Sequence, residues 1–231
     1  RGVINRVLVV CPLSIMQSAW QADLFKFAVH RHVNVAYGDR KKRKEIINSP
    51  AEFVIINYDG VAIVEEEVKA GGFDLVIIDE ANAYKNSRTE RFKVMRRIVG
   101  PDTWLWMMTG TPAAQSPLDA YGLAKLCVPT RAPHLYTAYR DAVMYQLTRF
   151  KWIPKPNAEV VVHNLLQPAI RFLKRECIDL PDVTHTYRHV PLSPQQMKFY
   201  KALKKDMLVE AAGEEITAVN AAAKLNKLLQ V

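Results

Sequence analysis

Two adjacent carboxylates, Asp79 and Glu80, follow directly on an uninterrupted apolar run, Leu75 to Ile78. One carboxylate of such a pair can hold Mg²⁺, directly or through water, while the other orients or deprotonates an attacking water. The competing reading is a helix N-terminus, whose first turn favours negative charge. Two further apolar runs end in polar groups: Arg6 to Val10 is followed by Cys11-Pro12 and Ser14, and Trp104 to Met108 by Thr109-Gly110-Thr111-Pro112. Ser14 can be a plain N-cap, can open a helix whose first amides face an anion, or can do both. The two threonines, taken alone, read as a tight turn around Gly110.

These groups need elements to carry them. Residues 6–10, 53–57 and 75–78 are apolar runs without alternation, the pattern of strands buried on both faces, and 33–37 and 104–108 read as further short strands. Buried strands exclude charge, so Asp79 and Glu80 belong at or past a strand's C-terminal end. Helices are expected between the strands. Ser14 with Gln17 reads as a capping box opening a helix to about Ala28, with Ile15, Ala19, Leu24 and Phe27 inward. Ser87-Arg88-Thr89-Glu90 and Ser193-Pro194-Gln195-Gln196 read the same way, and Ser116-Pro117 places proline at a first helical position. Gly71-Gly72 and Gly100-Pro101 are stops. Strand–helix alternation with short turns predicts an α/β fold, a parallel sheet with helices on both faces. Right-handed crossovers then put all three polar strand ends on one edge, where open α/β sheets bind ligands. Trp104, Trp106 and Trp152 could stack on nucleic-acid bases, but Trp104 and Trp106, inside a strand run, are expected to pack in the core instead.

The formal net charge is +9, which points to a polyanion partner, with nucleic acid first. Arg40 to Lys44 is the densest basic run. It reads either as the solvated face of a helix, the expectation here, or as a phosphate-contacting patch. Cys11, Cys127 and Cys177 show neither metal-ligand spacing nor a disulfide framework, which fits a reducing compartment. No histidine pairs with a cysteine or another histidine at zinc spacing with an acidic partner in place. No apolar stretch reaches the length of a membrane span, so an intracellular location is expected: cytoplasm or nucleoid, or host cytoplasm for a viral protein.

After Pro129 the alternation stops. The sequence divides into 1–128, the sheet; 129–178, a proline- and aromatic-rich, mostly helical insertion; and 179–231, a possible strand over 183–192 followed by helices. Arg1 is not Met, and Leu228 to Val231 carries no stop signal, so both ends are expected to be cut from something longer.

Five blocks in order resemble one family. Val9-Val10-Cys11-Pro12-Leu13-Ser14 with Trp20 is similar to motif Ia of superfamily-two helicases, and Ile55-Ile56-Asn57-Tyr58-Asp59 to the block after it. Asp79-Glu80-Ala81-Asn82 with Lys85-Asn86 resembles the DEAD/DEAH Walker B box, and Thr109-Gly110-Thr111-Pro112 resembles motif III. Leu180-Pro181, then Leu192 to Gln196 and Tyr200, looks like the stretch that closes the first motor lobe of Swi/Snf-type DNA translocases.

The resemblance implies a RecA-like, P-loop-NTPase-type lobe using ATP and Mg²⁺. It implies that Asp79 holds Mg²⁺ with the nucleotide and Glu80 activates water. It implies that Thr109, Gly110 and Thr111 couple nucleotide state to grip, and that Pro12, Ser14 and Tyr58 lie in blocks tracking a nucleic-acid backbone, most readily double-stranded DNA. Asn82 stands where the DEAH form has histidine, which bears on coupling. None of the nine glycines precedes a lysine, so no Gly-Lys-Ser/Thr phosphate loop occurs in residues 1–231. The resemblance places that loop upstream and a second RecA-like lobe with its arginine finger downstream. It therefore implies that this stretch alone is inactive. The alternatives are a non-catalytic basic module that binds nucleic acid or protein on a motor-like fold, and a lobe of an RNA or single-strand helicase.

Overall fold

The computed structural model describes residues 4–177, 184 and 186–213. Residues 1–171 and 172–231 form two compact units.

The first unit is built on five parallel strands in the order β2-β3-β1-β4-β5. These are β1 (Val7–Cys11), β2 (Val33–Val35), β3 (Phe53–Asn57), β4 (Leu75–Ile78) and β5 (Trp104–Met107). Central β1 pairs Val10 with both Ile56 and Ile78, so the strands end level and their C-termini share one edge. From β1 the chain moves outward to β2 on one side. From β4 it moves outward to β5 on the other. The strand order therefore reverses between β1 and β4, and the crevice of an open α/β sheet opens at such a point. Cys11-Pro12 and Asp79-Glu80 flank it.

Why these runs form central strands is visible in their burial. Leu8, Val10, Val54, Ile56, Val76 and Ile78 face one layer, against Ile47, Val61, Val68, Phe92, Met95, Leu123 and Leu126. Those residues come from α2 (Arg40–Ile47), α3 (Tyr58–Ile63), α4 (Glu65–Ala70), α5 (Glu90–Ile98) and α6 (Ala120–Cys127). Val7, Val9, Cys11, Ile55, Leu75 and Ile77 face the other way, where Met16, Trp20 and Leu24 cover them. That cover is a 3₁₀ turn, Leu13–Ile15, a π-helical turn, Met16–Gln21, and α1 (Ala22–Phe27).

The second face is covered only in part, and this overturns the packing expected of the tryptophans. Trp104 and Trp106 lie in register with Leu75 and Ile77 and share their face. They are 57% and 53% exposed because β5 is an edge strand and the described helices cover this face only over its other side. Phe27, expected inward, is 85% exposed at the last residue of α1, and Leu24 is the residue of that helix packed against the sheet.

The caps are mixed. Thr89, not Ser87, caps α5, its Oγ1 accepting from the Phe92 amide at 3.3 Å. Ser116 caps the turn Pro117–Asp119 that leads into α6. Ser14 caps nothing: it sits inside the 3₁₀ turn, whose N-cap is Pro12. Gly72, at φ 64°, takes the left-handed conformation that ends α4.

In the basic run, Arg40, Lys41, Lys42 and Lys44 are exposed, but Arg43 is buried. Its guanidinium donates to the carbonyls of Ala36 and Gly38 and to Asn57 Oδ1. One of the five charges is thus an internal strut between β2, α2 and β3, and the rest form the solvated face.

At the opposite end of the sheet Arg6 is a second strut. It donates to the backbone carbonyls of Ile47, Ser49, Ala51 and Gly71 and stacks on Phe73.

Residues 129–171 carry α7 (Tyr136–Val143), an antiparallel hairpin of β6 (Met144–Thr148) and β7 (Lys151–Pro154), and α8 (Ala158–Leu166). The second unit contains α9 (Lys174–Cys177) and α10 (Pro194–Gly213). At the start of α10 the capping box is reciprocal: Ser193 Oγ accepts from the Gln196 amide and Gln196 Oε1 from the Ser193 amide. The strand suggested for 183–192 does not form among its described residues. Leu180-Pro181 and the helix expected from about Glu215 lie outside the described residues. No helix among the described residues is long and apolar enough to cross a membrane.

Candidate functional site

Strand β4 stops at Ile78 because the next two side chains are charged, and the chain turns there through an uncommon backbone state. Glu80 has φ 46° and ψ 55°, a left-handed conformation that costs a non-glycine residue of order 1–3 kcal/mol. Four hydrogen bonds hold it. The Asp79 amide donates to Val10 O at 2.9 Å, and the Ala81 amide to Met108 O at 2.8 Å. The Tyr58 hydroxyl donates to Asp79 O at 2.6 Å, and the Glu80 amide donates to Asp79 Oδ1 at 2.9 Å. The turn is therefore tied to β1, to the end of β5 and to the start of α3. Glu80 ends exposed at the sheet edge, with Asp79 half-buried beside it.

Asp79 is oriented from the other face of the sheet. The Trp20 indole N–H donates to its Oδ2 at 2.9 Å. Each carboxylate oxygen thus accepts one hydrogen bond and keeps a lone pair free. Burial, then the charge of Asp79, pushes the Cys11 thiol up to about 12, so it is a neutral neighbour. The same two causes raise the Tyr58 hydroxyl above its ordinary range, with Arg91 partly opposing them, so it stays a proton donor. The Arg91 guanidinium lies 5.0 Å from the Tyr58 ring centroid and pairs with Asp59 at 2.7 Å.

The threonine turn is joined to the carboxylate turn through Asn82. Its Nδ2 donates to Thr111 O at 3.0 Å, and the Thr111 amide donates to Thr109 Oγ1 at 3.3 Å. Asn82 Oδ1 is buried and has no partner. The asparagine therefore supplies a direct link between the two turns. Lys85, on the same segment, pairs with Asp119 at 3.4 Å and donates to Gln115 at 3.0 Å, which ties the segment to the start of α6. α6 comes very close here: a Cβ on Gly122 would lie 2.3–2.4 Å from the carbonyl oxygens of Tyr84 and Lys85.

Of the positions singled out in the sequence, Asp79, Glu80, Thr109, Gly110 and Thr111 lie on one connected pair of turns. Pro12 and Ser14 follow β1 on the same edge. Ser14 is exposed and lines a surface cleft of about 320 Å³ with Leu13, Gln17 and Tyr37. Tyr58, the first residue of α3, reaches the carboxylate turn, its hydroxyl donating inward to Asp79 O. Sequence reasoning missed what Trp20 and Asn82 do. Both stood inside quoted blocks, but nothing in a one-dimensional pattern says that an indole will reach a carboxylate 59 residues away.

Two adjacent carboxylates at a strand end, one anchored and one projecting, can share a hard cation and a water molecule. Among the described residues no group of three or more His, Cys, Asp or Glu side chains could hold a metal. A cation here would therefore complete its shell from a ligand and water.

Comparison with known proteins gives a consistent answer. A model of the SNF2-related domain matches residues 1–231. Protein p41 of Acyrthosiphon pisum secondary endosymbiont phage 1 is 27% identical over 240 aligned residues, covering 97% of this chain and 52% of p41. The ISWI chromatin-remodeling complex ATPase ISW2 of Saccharomyces cerevisiae is 24% identical, over 93% of this chain and 18% of ISW2. The Sulfolobus solfataricus SWI2/SNF2 ATPase core in complex with dsDNA superposes with a TM-score of 0.61 at 23% identity, covering 99% of this chain and 48% of that one. The chain thus spans about half or less of the length of these relatives.

Proposed function

The chain belongs to the SNF2-related domain family, with the RecA-like fold of the SNF2 ATPase core, and from that premise we propose that it is part of the ATP-hydrolysing motor of an intracellular double-stranded-DNA translocase. The observation that carries the reading is the anchored pair: Asp79 held by Trp20 and by the Glu80 amide, and Glu80 projecting from a strained turn.

The donor set suits Mg²⁺ bound with a nucleotide. That ion takes one or two protein carboxylates and fills its shell with phosphate oxygens and water. Asp79 would hold it. When bound, the ion draws charge from the phosphates. Glu80 would orient the attacking water and accept its proton, since the carboxylate is exposed and fixed in direction by its backbone. The link from Asn82 to Thr111 would carry a change at the carboxylate turn into the threonine turn. Pro12 and Ser14, at the first turn after β1, would meet a phosphate backbone with helix-start amides, which attract anions.

Residues 1–231 contain no Gly-Lys-Ser/Thr loop. In this reading that loop and a second RecA-like lobe come from elsewhere in the same protein, and the 231 residues alone do not hydrolyse ATP.

The test is ATP hydrolysis by the intact protein with duplex DNA, single-stranded DNA or RNA as activator, beside Asp79→Asn. Stimulation greatest with duplex DNA and lost in the variant is expected. No hydrolysis would leave a binding module. Preference for RNA or single strands would sink the duplex reading. Hydrolysis by residues 1–231 alone would refute their inactivity.

A further inference from the structure

The β6–β7 hairpin takes no part in the proposed hydrolysis, yet its surface is unlike that of a ribbon that merely closes a fold. Its register pairs Tyr145 with Ile153, Gln146 with Trp152 and Met144 with Pro154, so alternate residues face opposite ways. On one face Met144 and Trp152 pack with Tyr121, Tyr139, Val143 and Ala158, and Arg140 stacks on Trp152 at 4.0 Å. This side pins the hairpin to α6, α7 and α8. On the other side Tyr145 is 43% and Leu147 53% exposed, with Ile153, opposite Tyr145, half-buried. The turn presents Phe150, 88% exposed, between Arg149 and Lys151. The Arg149 guanidinium lies 5.5 Å from the Phe150 ring centroid, and neither cation forms an ion pair among the described residues.

The charge of this element has one sign. Residues 144–157 contain Arg149, Lys151 and Lys155 and no Asp or Glu. Lys155 donates to the Asp141 carbonyl at 2.5 Å and serves the fold. Among the described residues the two cations beside Phe150 pair with no acidic side chain. An aromatic ring held out on a turn contributes no burial to folding, and its match is a flat ring of a partner. Cations on both sides of it match negative charges on both sides of that ring. A nucleic-acid strand with accessible bases offers both: a π face on every base and a phosphate on either side of it.

We propose that the β6–β7 hairpin is a second nucleic-acid contact, in which the Phe150 ring stacks on an unpaired base and Arg149 and Lys151 meet the flanking phosphates. The proposal rests on reading the chain as part of a DNA motor. It adds to it that the protein distinguishes duplex with a single-stranded junction or tail from uninterrupted duplex.

The test is binding of fluorescently labelled blunt duplex, duplex with a single-stranded tail, and single strand to the intact protein, read by anisotropy. Phe150→Ala removes almost no buried surface, and circular dichroism checks that the fold is kept. It is expected to weaken tailed and single-stranded DNA roughly five- to a hundredfold, the span of one lost base–aromatic stack, and to leave blunt duplex unchanged. Phe150→Trp keeps a stacking face and should restore binding. Arg149→Gln with Lys151→Gln should weaken the tailed and single-stranded DNAs more than blunt duplex and flatten their slope of log affinity against log salt by about one to two. With a base analogue whose fluorescence is quenched by stacking placed at the junction, wild type should quench it and Phe150→Ala should not. If every variant binds all three DNAs as wild type does, the hairpin proposal falls and the motor reading stands. If wild type binds none of them, both fall.

Discussion

The indole N–H of Trp20 meets Oδ2 of Asp79 at 2.9 Å, joining the helical cover of one sheet face to the carboxylate at the sheet's C-terminal edge. Asp79 therefore has no freedom to choose its own direction. One of its oxygens is fixed by Trp20 and the other by the amide of Glu80.

Trp20→Phe isolates that bond, because phenylalanine keeps a ring in the cluster with Val9, Met16 and Leu24. Stability should fall by about 1.5–3 kcal/mol, the net worth of one hydrogen bond to a charged group. If Asp79 holds the cation, the Mg²⁺ concentration for half-maximal hydrolysis by the intact protein should rise severalfold. An unchanged Mg²⁺ dependence would show that the indole does not orient the ligand.

Glu80 separates stability from chemistry. Glu80→Gly relieves the left-handed backbone and should leave the chain as stable or up to about 1 kcal/mol more stable in urea, while abolishing hydrolysis by the intact protein. Glu80→Gln keeps the strain and should also abolish hydrolysis. A clear loss of stability in Glu80→Gly would mean that the side chain, not its neighbours, holds the turn.

Gly122 is required by contact. Adding a methyl group pushes it into the backbone of Tyr84 and Lys85, which cannot swing away as a side-chain tip can. Gly122→Ala should destabilise by about 1–3 kcal/mol, as overpacking does. Gly110→Ala is the contrast: its Cβ meets open space, and the change in stability should stay within about 0.5 kcal/mol. Thermal unfolding of the two variants measures the cost of filling the space between α6 and the Tyr84–Lys85 backbone.

Acid unfolding should report the fork between α4 and α5. Arg97 donates to both oxygens of Glu65, at 2.6 and 2.8 Å, and with Lys69 holds that carboxyl at about 2. A carboxyl depressed in the fold contributes stability above its unfolded value near 4.5 and loses it as pH falls toward 2. The side chain is mostly covered but its partners are half-exposed, so screening limits the contribution to about 1 kcal/mol. Glu65→Gln should narrow the stability difference between pH 6 and pH 2.5 relative to wild type. Parallel pH profiles for the two proteins would assign the acid sensitivity to other carboxyls.

Much of the fold was legible because burial on two faces leaves a simple mark. The five strands appear at the apolar runs, and each ends within about two residues of its expected boundary; Pro12 and Asp79 stop β1 and β4, because proline and charge cannot continue a covered strand. The same reasoning misplaced Trp104 and Trp106. Apolar composition reports that a residue can be buried, whereas burial depends on whether another element lies over it, and β5 is an edge. Ser14 misled in a related way. A serine followed three residues later by glutamine forms a reciprocal cap at Ser193, yet at Ser14 the chain is already inside a 3₁₀ turn begun by Pro12.

The candidate site divides along the same line. Residue type and order alone place carboxylates, hydroxyls and a helix start at strand ends, and parallel connection gathers those ends on one edge. They identify Asp79, Glu80 and the Thr109-Gly110-Thr111 turn by type and place. What holds them emerges with the assembled sheet: Trp20 on Asp79, Tyr58 on the Asp79 carbonyl, Asn82 on Thr111, and the backbone of Glu80 locked in a state its own side chain disfavours. Local pattern records which groups a segment can bury or expose. The partner of a polar group depends on which strands become neighbours, and that is settled when the whole sheet assembles.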